Sequence, residues 1–129
     1  EPPSQAQGAV RLVLVSDTHG FHHDLPELPK ADILIHAGDM LLENRGLSPR
    51  TSSRLADFNS WLEAQKASRK VCIAGNHDLF CEQLCKDELH QALPAATYLQ
   101  DEALTYRGLK LYASPMSVGR ALSKNRAFQ

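Results

Sequence analysis

The sequence predicts an α/β fold in which parallel strands, buried on both faces, are followed by a C-terminal β-hairpin. Three observations carry that prediction. Short, nearly unbroken apolar runs recur at Arg11 to Ser16, Asp32 to Ala37 and Val71 to Ala74; they are strand-sized, rich in β-branched residues, and lack the in–out alternation of a half-exposed strand. A stretch with helical periodicity separates the second run from the third. After Pro94 the texture changes to short runs broken by turn residues.

The elements follow in order. The first two runs are strands, and Gly75 ends the third where a tight turn is needed. Ser48 is placed to cap a helix whose first position is Pro49 and which runs to about Lys66. Leu55, Phe58, Trp61, Leu62 and Gln65 recur at three- and four-residue steps, so one face is mainly apolar and the helix serves as a crossover between parallel strands. A second helical pattern runs from about Glu82 to Leu93 and stops at Pro94. Cys81 and Cys85 stand one turn apart there and read as small packing residues, because two thiols alone rarely complete a metal site. Thr97 to Leu99 is a short run; Leu104 to Tyr106 and Leu109 to Tyr112, joined at Arg107-Gly108, form a hairpin signal. Ser114 to Gln129 shows no periodicity and reads as loop or as a segment that needs a partner.

Composition narrows the function. The chain has 129 residues, 43% of them hydrophobic and 22% charged, which fits one globular domain and excludes a disordered tail or a collagen-like fibre. Residues 1–9 read as a flexible, trimmed lead-in and 10–129 as the domain. Fourteen Lys and Arg nearly cancel 15 Asp and Glu, so the field is weak and general nucleic-acid binding is disfavoured. No apolar run approaches the roughly 20 residues that span a bilayer, so no membrane partner is expected. The three cysteines include no CxxC pair, which argues against a disulfide scaffold or a structural zinc module. They read as reduced thiols of an intracellular protein, cytoplasmic or mitochondrial.

Chemistry lies where polar residues interrupt the strands. Asp17 and His19 follow the first, Gly38-Asp39 the second, and Gly75-Asn76-His77-Asp78 the third. In a parallel sheet these are all carboxyl ends, so they converge on one rim, where α/β sheets hold ligands. Carboxylates gathered this closely repel one another unless a cation compensates. Carboxylate and amide oxygens mixed with imidazole nitrogen favour Mn, Fe, Mg or Zn, without choosing among them.

The order Asp17-Thr18-His19-Gly20, Gly38-Asp39, Gly75-Asn76-His77-Asp78 resembles the calcineurin-like metallophosphoesterase family, and Tyr98 to Asp101 with Leu111 to Pro115 resemble its metallophosphoesterase-domain-containing subgroup. The resemblance implies the N-terminal half of that family's β-sandwich flanked by helices. It also implies two divalent metal ions sharing a carboxylate and a hydroxide that attacks phosphorus in line. On that reading Asp39 is the bridge, Asp17 and His19 hold the first metal, and Asn76 ligates the second while also touching substrate. His77 is a catalytic acid or a phosphate clamp. Asp78 orients His77, or else is a solvated or helix-capping carboxylate.

The same resemblance exposes a gap. The family's second half supplies further histidines in GH and GHxH contexts, and nothing after His90 here can serve, so the second metal site is expected to be incomplete. Half a sandwich would also leave an apolar sheet face and an open edge in water. A complementary chain or C-terminal half is therefore the expected partner, with a phosphomonoester or phosphodiester as substrate. The alternative is a catalytically inactive relative, a structural or interaction subunit of a larger assembly. His22 and His23 read as a polar surface loop, His36 as a hydrogen-bonded core or rim residue, and His90 as a surface residue. Residues 103–129 carry Arg107, Lys110, Arg120, Lys124 and Arg126 with no acid, the one stretch suited to RNA, an acidic partner or a substrate phosphate.

Overall fold

The computed structural model describes residues 4, 6–42, 47–119 and 127–129. Strands β1 (Leu12–Val15), β2 (Ala31–His36), β3 (Ala67–Cys72) and β4 (Thr97–Tyr98) form one sheet in the order β1-β2-β3-β4, with every neighbouring pair parallel. Helices α1 (Pro49–Ala64), α2 (Leu79–Gln83) and α3 (Lys86–Ala92) lie in the crossovers. A sheet that grows in one direction through right-handed crossovers puts them all on one face, and Phe58, Trp61, Phe80 and Leu89 share one core with Leu34, Cys72 and Tyr98 of the sheet.

The opposite face is covered by the hairpin of β5 (Glu102–Tyr106) and β6 (Leu109–Ala113), whose Leu104, Tyr106, Leu109 and Leu111 pack on Ile33, Val71 and Leu99. Successive strand residues point to opposite faces. Ile33 and Leu34 thus enter different cores, and both are fully buried. This is why the β2 run shows no alternation.

Local chemistry sets the boundaries. Ser48 Oγ accepts from Thr51 N at 3.1 Å, capping α1 as expected, with Pro49 at its first position. The hairpin turns at Arg107 (φ 49°) and Gly108 (φ 80°), the two positive φ values that a two-residue turn of matching twist requires. Arg107 also forms an ion pair with Asp32 and lies over the Tyr106 ring, 5.5 Å from its centre. It is thereby committed to holding the hairpin on β2 instead of serving as a loose cation of the basic segment. Arg120, Lys124 and Arg126 lie outside the described residues, as do residues 1–3 and 5 of the expected lead-in.

Several expectations are corrected. β1 is not buried on both faces: among the described residues it pairs only with β2, and Leu12 and Leu14 are 38% and 68% exposed because the hairpin does not reach them. β3 begins at Ala67, four residues earlier than its apolar run. Its polar start is tolerated because β4 pairs only with Val71 and Cys72 and leaves Ser68 to Lys70 without a strand on that side. The helix expected over Glu82 to Leu93 is two helices separated at Leu84-Cys85, where Cys85 becomes the N-cap of α3 and its N–H donates to Glu88 at 2.7 Å. Only Cys81 of that pair is a packing residue, and Cys85 is exposed. The final segment is partly docked on its own chain. Ala127 and Phe128 are buried, Phe128 N donates to Glu82 at 2.6 Å, and Ser117 N donates to the Phe128 carbonyl at 2.9 Å. Among the described residues no helix is long and apolar enough to cross a membrane.

Candidate metal centre

The carboxyl ends of β1, β2 and β3 are neighbours, and their exit loops stay paired beyond the last strand residues. Asp17 N donates to the Gly38 carbonyl at 3.0 Å, His19 N to that of Asp39 at 3.0 Å, and Gly20 N to that of Met40 at 2.8 Å. Asp17 (φ 55°), His19 (φ 49°) and Asp39 (φ 55°) all adopt the left-handed conformation. Each costs about 1 to 3 kcal/mol for a residue with a side chain, and such strain gathers at functional sites.

Two carboxylates cross-brace the loops. Asp39, 6% exposed, accepts from His77 N at 2.9 Å through Oδ1. Asp78, fully buried, accepts from Gly75 N at 2.9 Å, Met40 N at 3.2 Å and Leu41 N at 3.2 Å. Each loop thus holds the other's backbone. Burial pushes the Asp78 carboxyl up to about 6 against the opposing pull of those N–H groups, and the nearby Asp39 charge adds to the rise. Neither of the readings of Asp78 as an orienter of the His77 ring or as a solvated group describes it. It stands at the N-cap of α2, yet its side chain makes no capping bond there and grips the neighbouring loop instead.

What this framework presents is a cluster of His19, Asp39 and His77, whose ligand atoms all lie within 4.8 Å of one another. Asp39 Oδ2 is 3.9 Å from His19 Nε2 and 4.0 Å from His77 Nε2, and the two rings meet edge to face with centres 4.7 Å apart. Those separations are too long for hydrogen bonds. They are near the roughly 3 to 4 Å between two donors on one ion with bonds of about 2.1 Å. Two imidazoles and a carboxylate suit a borderline divalent ion, so the donor set fits a metal. Asp17 is tied to the rim through its backbone, but its side chain is exposed and outside this cluster. Asn76 is half-buried on the β3 loop, and its carbonyl accepts from Ala127 N at 3.3 Å.

A buried network supports the rim from below. Thr18 Oγ1 donates to the Met40 carbonyl at 3.1 Å, and its single hydrogen is thereby used. His36 Nε2, 2.9 Å from the same oxygen, must therefore be the donor of that pair. His36 Nδ1 is left buried without a hydrogen-bond partner. Burial lowers the His36 pKa to about 4, with the Asp17 charge opposing. His36 is thus the hydrogen-bonded core residue expected, whereas Thr18, hidden between two louder motif residues, carried no signal of its own.

Two histidines depart from expectation. His22 is buried, not part of a polar surface loop, with its ring against Phe58 and Trp61. His22 Nε2 lies 3.0 Å from Asp57 Oδ2, and exposed His23 reaches the same carboxylate at 3.1 Å. Desolvation lowers the His22 pKa, with the hydrogen bond to Asp57 opposing. Asp57, on the polar side of α1, could not have been singled out from periodicity. His90 is half-buried, with Nε2 3.0 Å from the Tyr98 carbonyl.

Comparison with known proteins places this arrangement in context. The family model described as calcineurin-like phosphoesterase matches residues 10–119. Metallophosphoesterase domain-containing protein 1 of Homo sapiens is 35% identical over 130 aligned residues, covering 84% of this chain and 38% of its own length. UPF0046 protein C25E10.12 of Caenorhabditis elegans is 32% identical, covering 84% of this chain and 42% of its own. The chain spans about two-fifths of the length of these curated relatives.

Proposed function

The chain belongs to the calcineurin-like phosphoesterase family, and from that premise we propose that it carries part of the dinuclear site of a metal-dependent phosphoesterase acting on phosphomonoesters or phosphodiesters. The observation that carries this reading is the convergence of His19, Asp39 and His77 within 4.8 Å on the sheet's carboxyl rim, with His19 and Asp39 as ligands and His77 beside them. Asp39 is the shared ligand, Asp17 and His19 complete the first position, and Asn76 serves the second. Bound divalent ions would supply an acidified water and offset charge on the phosphoryl oxygens.

The chain's own residues do the rest. Asp39 is oriented by the His77 N–H, so its Oδ2 faces both imidazoles. His77, 19% exposed at its side chain, is open to a substrate while its ring is set against His19. Protonated, it would clamp a phosphate oxygen or give a proton to the leaving group. A C-terminal half or a complementary chain completes the second site and covers Leu12 and Leu14 beside β1. This part of the reading rests on the exposure of those residues and on the two-fifths coverage of the relatives.

The test is hydrolysis of bis(p-nitrophenyl) phosphate with Mn added, comparing the 129-residue chain with a chain extended to the length of its relatives. The proposal expects turnover in the extended chain that Asp39→Asn lowers at least about a hundredfold. An extended, folded, metal-loaded chain with no turnover would establish the inactive reading.

A further inference from the structure

Asp57 of α1 accepts both His22 and His23, and this second cluster shares no residue with the rim. His22 and His23 belong to a single 3-10 turn, His22–Asp24. Successive residues of such a turn point about 120° apart, so neighbouring side chains ordinarily diverge. Here the two rings lie 4.4 Å apart and both direct Nε2 at one carboxylate, with separations of 3.0 Å for His22 and 3.1 and 3.2 Å for His23. All three donors lie within 4.8 Å of one another.

We propose that His22, His23 and Asp57 form a zinc-type divalent-cation site distinct from the rim. Three observations support it. Zinc bonds to imidazole and carboxylate of about 2.0 to 2.2 Å place tetrahedral donors roughly 3.3 Å apart, within a few tenths of an ångström of the separations present. Two imidazoles and one carboxylate form a donor set that zinc favours, with a fourth position open to water. His22 is held in place by Phe58 and Trp61, ring centres 5.3 and 5.5 Å away, so one ligand is preorganised.

An ion bound there would pin the loop that carries His19 to α1. The test uses the 129-residue chain with Asp39→Asn, which removes the shared rim carboxylate, and titrates Zn²⁺ against a chromophoric chelator while following thermal unfolding. The expected result is one retained zinc equivalent and a rise in Tm with zinc. Adding His23→Ala, an exposed position whose loss spares the core, should weaken that binding at least roughly tenfold and remove the rise in Tm; Asp57→Asn should do the same. Absence of zinc binding in the folded Asp39→Asn chain, or binding unchanged by His23→Ala and Asp57→Asn, would overturn the proposal and leave a hydrogen-bonded clasp. Neither outcome depends on whether the rim itself binds metal or turns over substrate.

Discussion

Gly38 and Gly75 touch backbone to backbone: a Cβ on Gly38 would lie 2.8 Å from Gly75 N and 2.9 Å from Gly75 Cα, and a Cβ on Gly75 would overlap the Asp39 carboxylate. The contact lets the loops after β2 and β3 share the Asp39 and Asp78 braces. Gly38 also sits at φ +102°, a conformation side chains resist. Gly38→Ala and Gly75→Ala should each lower stability by about 1 to 3 kcal/mol, read from urea midpoints. At Gly8 a Cβ would meet nothing within 4 Å, although φ is +80°. Gly8→Ala is therefore the control for backbone strain alone, with a loss of about 1 kcal/mol.

Removing the Asp78 carboxylate should unfold more than it disarms. Asp78→Ala leaves the Gly75, Met40 and Leu41 N–H groups without their acceptor. A loss of roughly 3 kcal/mol or more is expected. Asp78→Asn keeps one acceptor oxygen and should lose less. Equal losses for the two in chemical denaturation would mean that the N–H groups find other partners.

Acid sensitivity should trace to His36. Its folded pKa, about 4, is below the ordinary 6.5, so the unfolded chain takes up a proton that the folded chain refuses. Stability is unaffected above about pH 6.5, falls as the pH drops through that value, and levels off near pH 4, with a total loss of about 3 kcal/mol. Asp78, raised to about 6, acts with the opposite sign over much of the same range, so the His36 contribution is read as the difference in urea midpoints between the parent chain and His36→Gln in metal-free buffer. Parallel pH profiles for the two chains would show that His36 contributes no acid sensitivity.

Arg107→Ala should loosen the hairpin without touching the rim. Asp32 would retain the Arg11 N–H at 2.8 Å but lose its guanidinium partner. Because the Arg107 side chain is 54% exposed, the loss should be only about 1 kcal/mol. Hydrogen exchange should rise in β5 and β6 while the β1 to β3 ladder stays protected.

Much of this was legible from short stretches of sequence. Ser48-Pro49 marked the start of α1, and Arg107-Gly108 marked the hairpin turn, because capping and turn chemistry are local. The rim was legible because apolar runs end in residues that do not belong in a buried strand. What escaped depends on distance along the chain. Asp57 meets His22 and His23 from 35 and 34 residues away, and Asp78 meets Met40 and Leu41 across 38 and 37. The break at Leu84-Cys85 was hidden because leucines at helical spacing say nothing of a local interruption. The apolar run of β1 signalled burial on both faces, yet Leu12 and Leu14 remain exposed beside it.

The sheet order β1-β2-β3-β4 matches the order in which a ribosome releases the strands. Each strand that emerges finds its only earlier neighbour already made, and none must wait for, or insert between, strands still to come. Synthesis is slow beside the microsecond formation of local structure, so the sheet can grow as a queue. Growth in that order leaves β1, the first strand made, with one edge that no other strand pairs among the described residues.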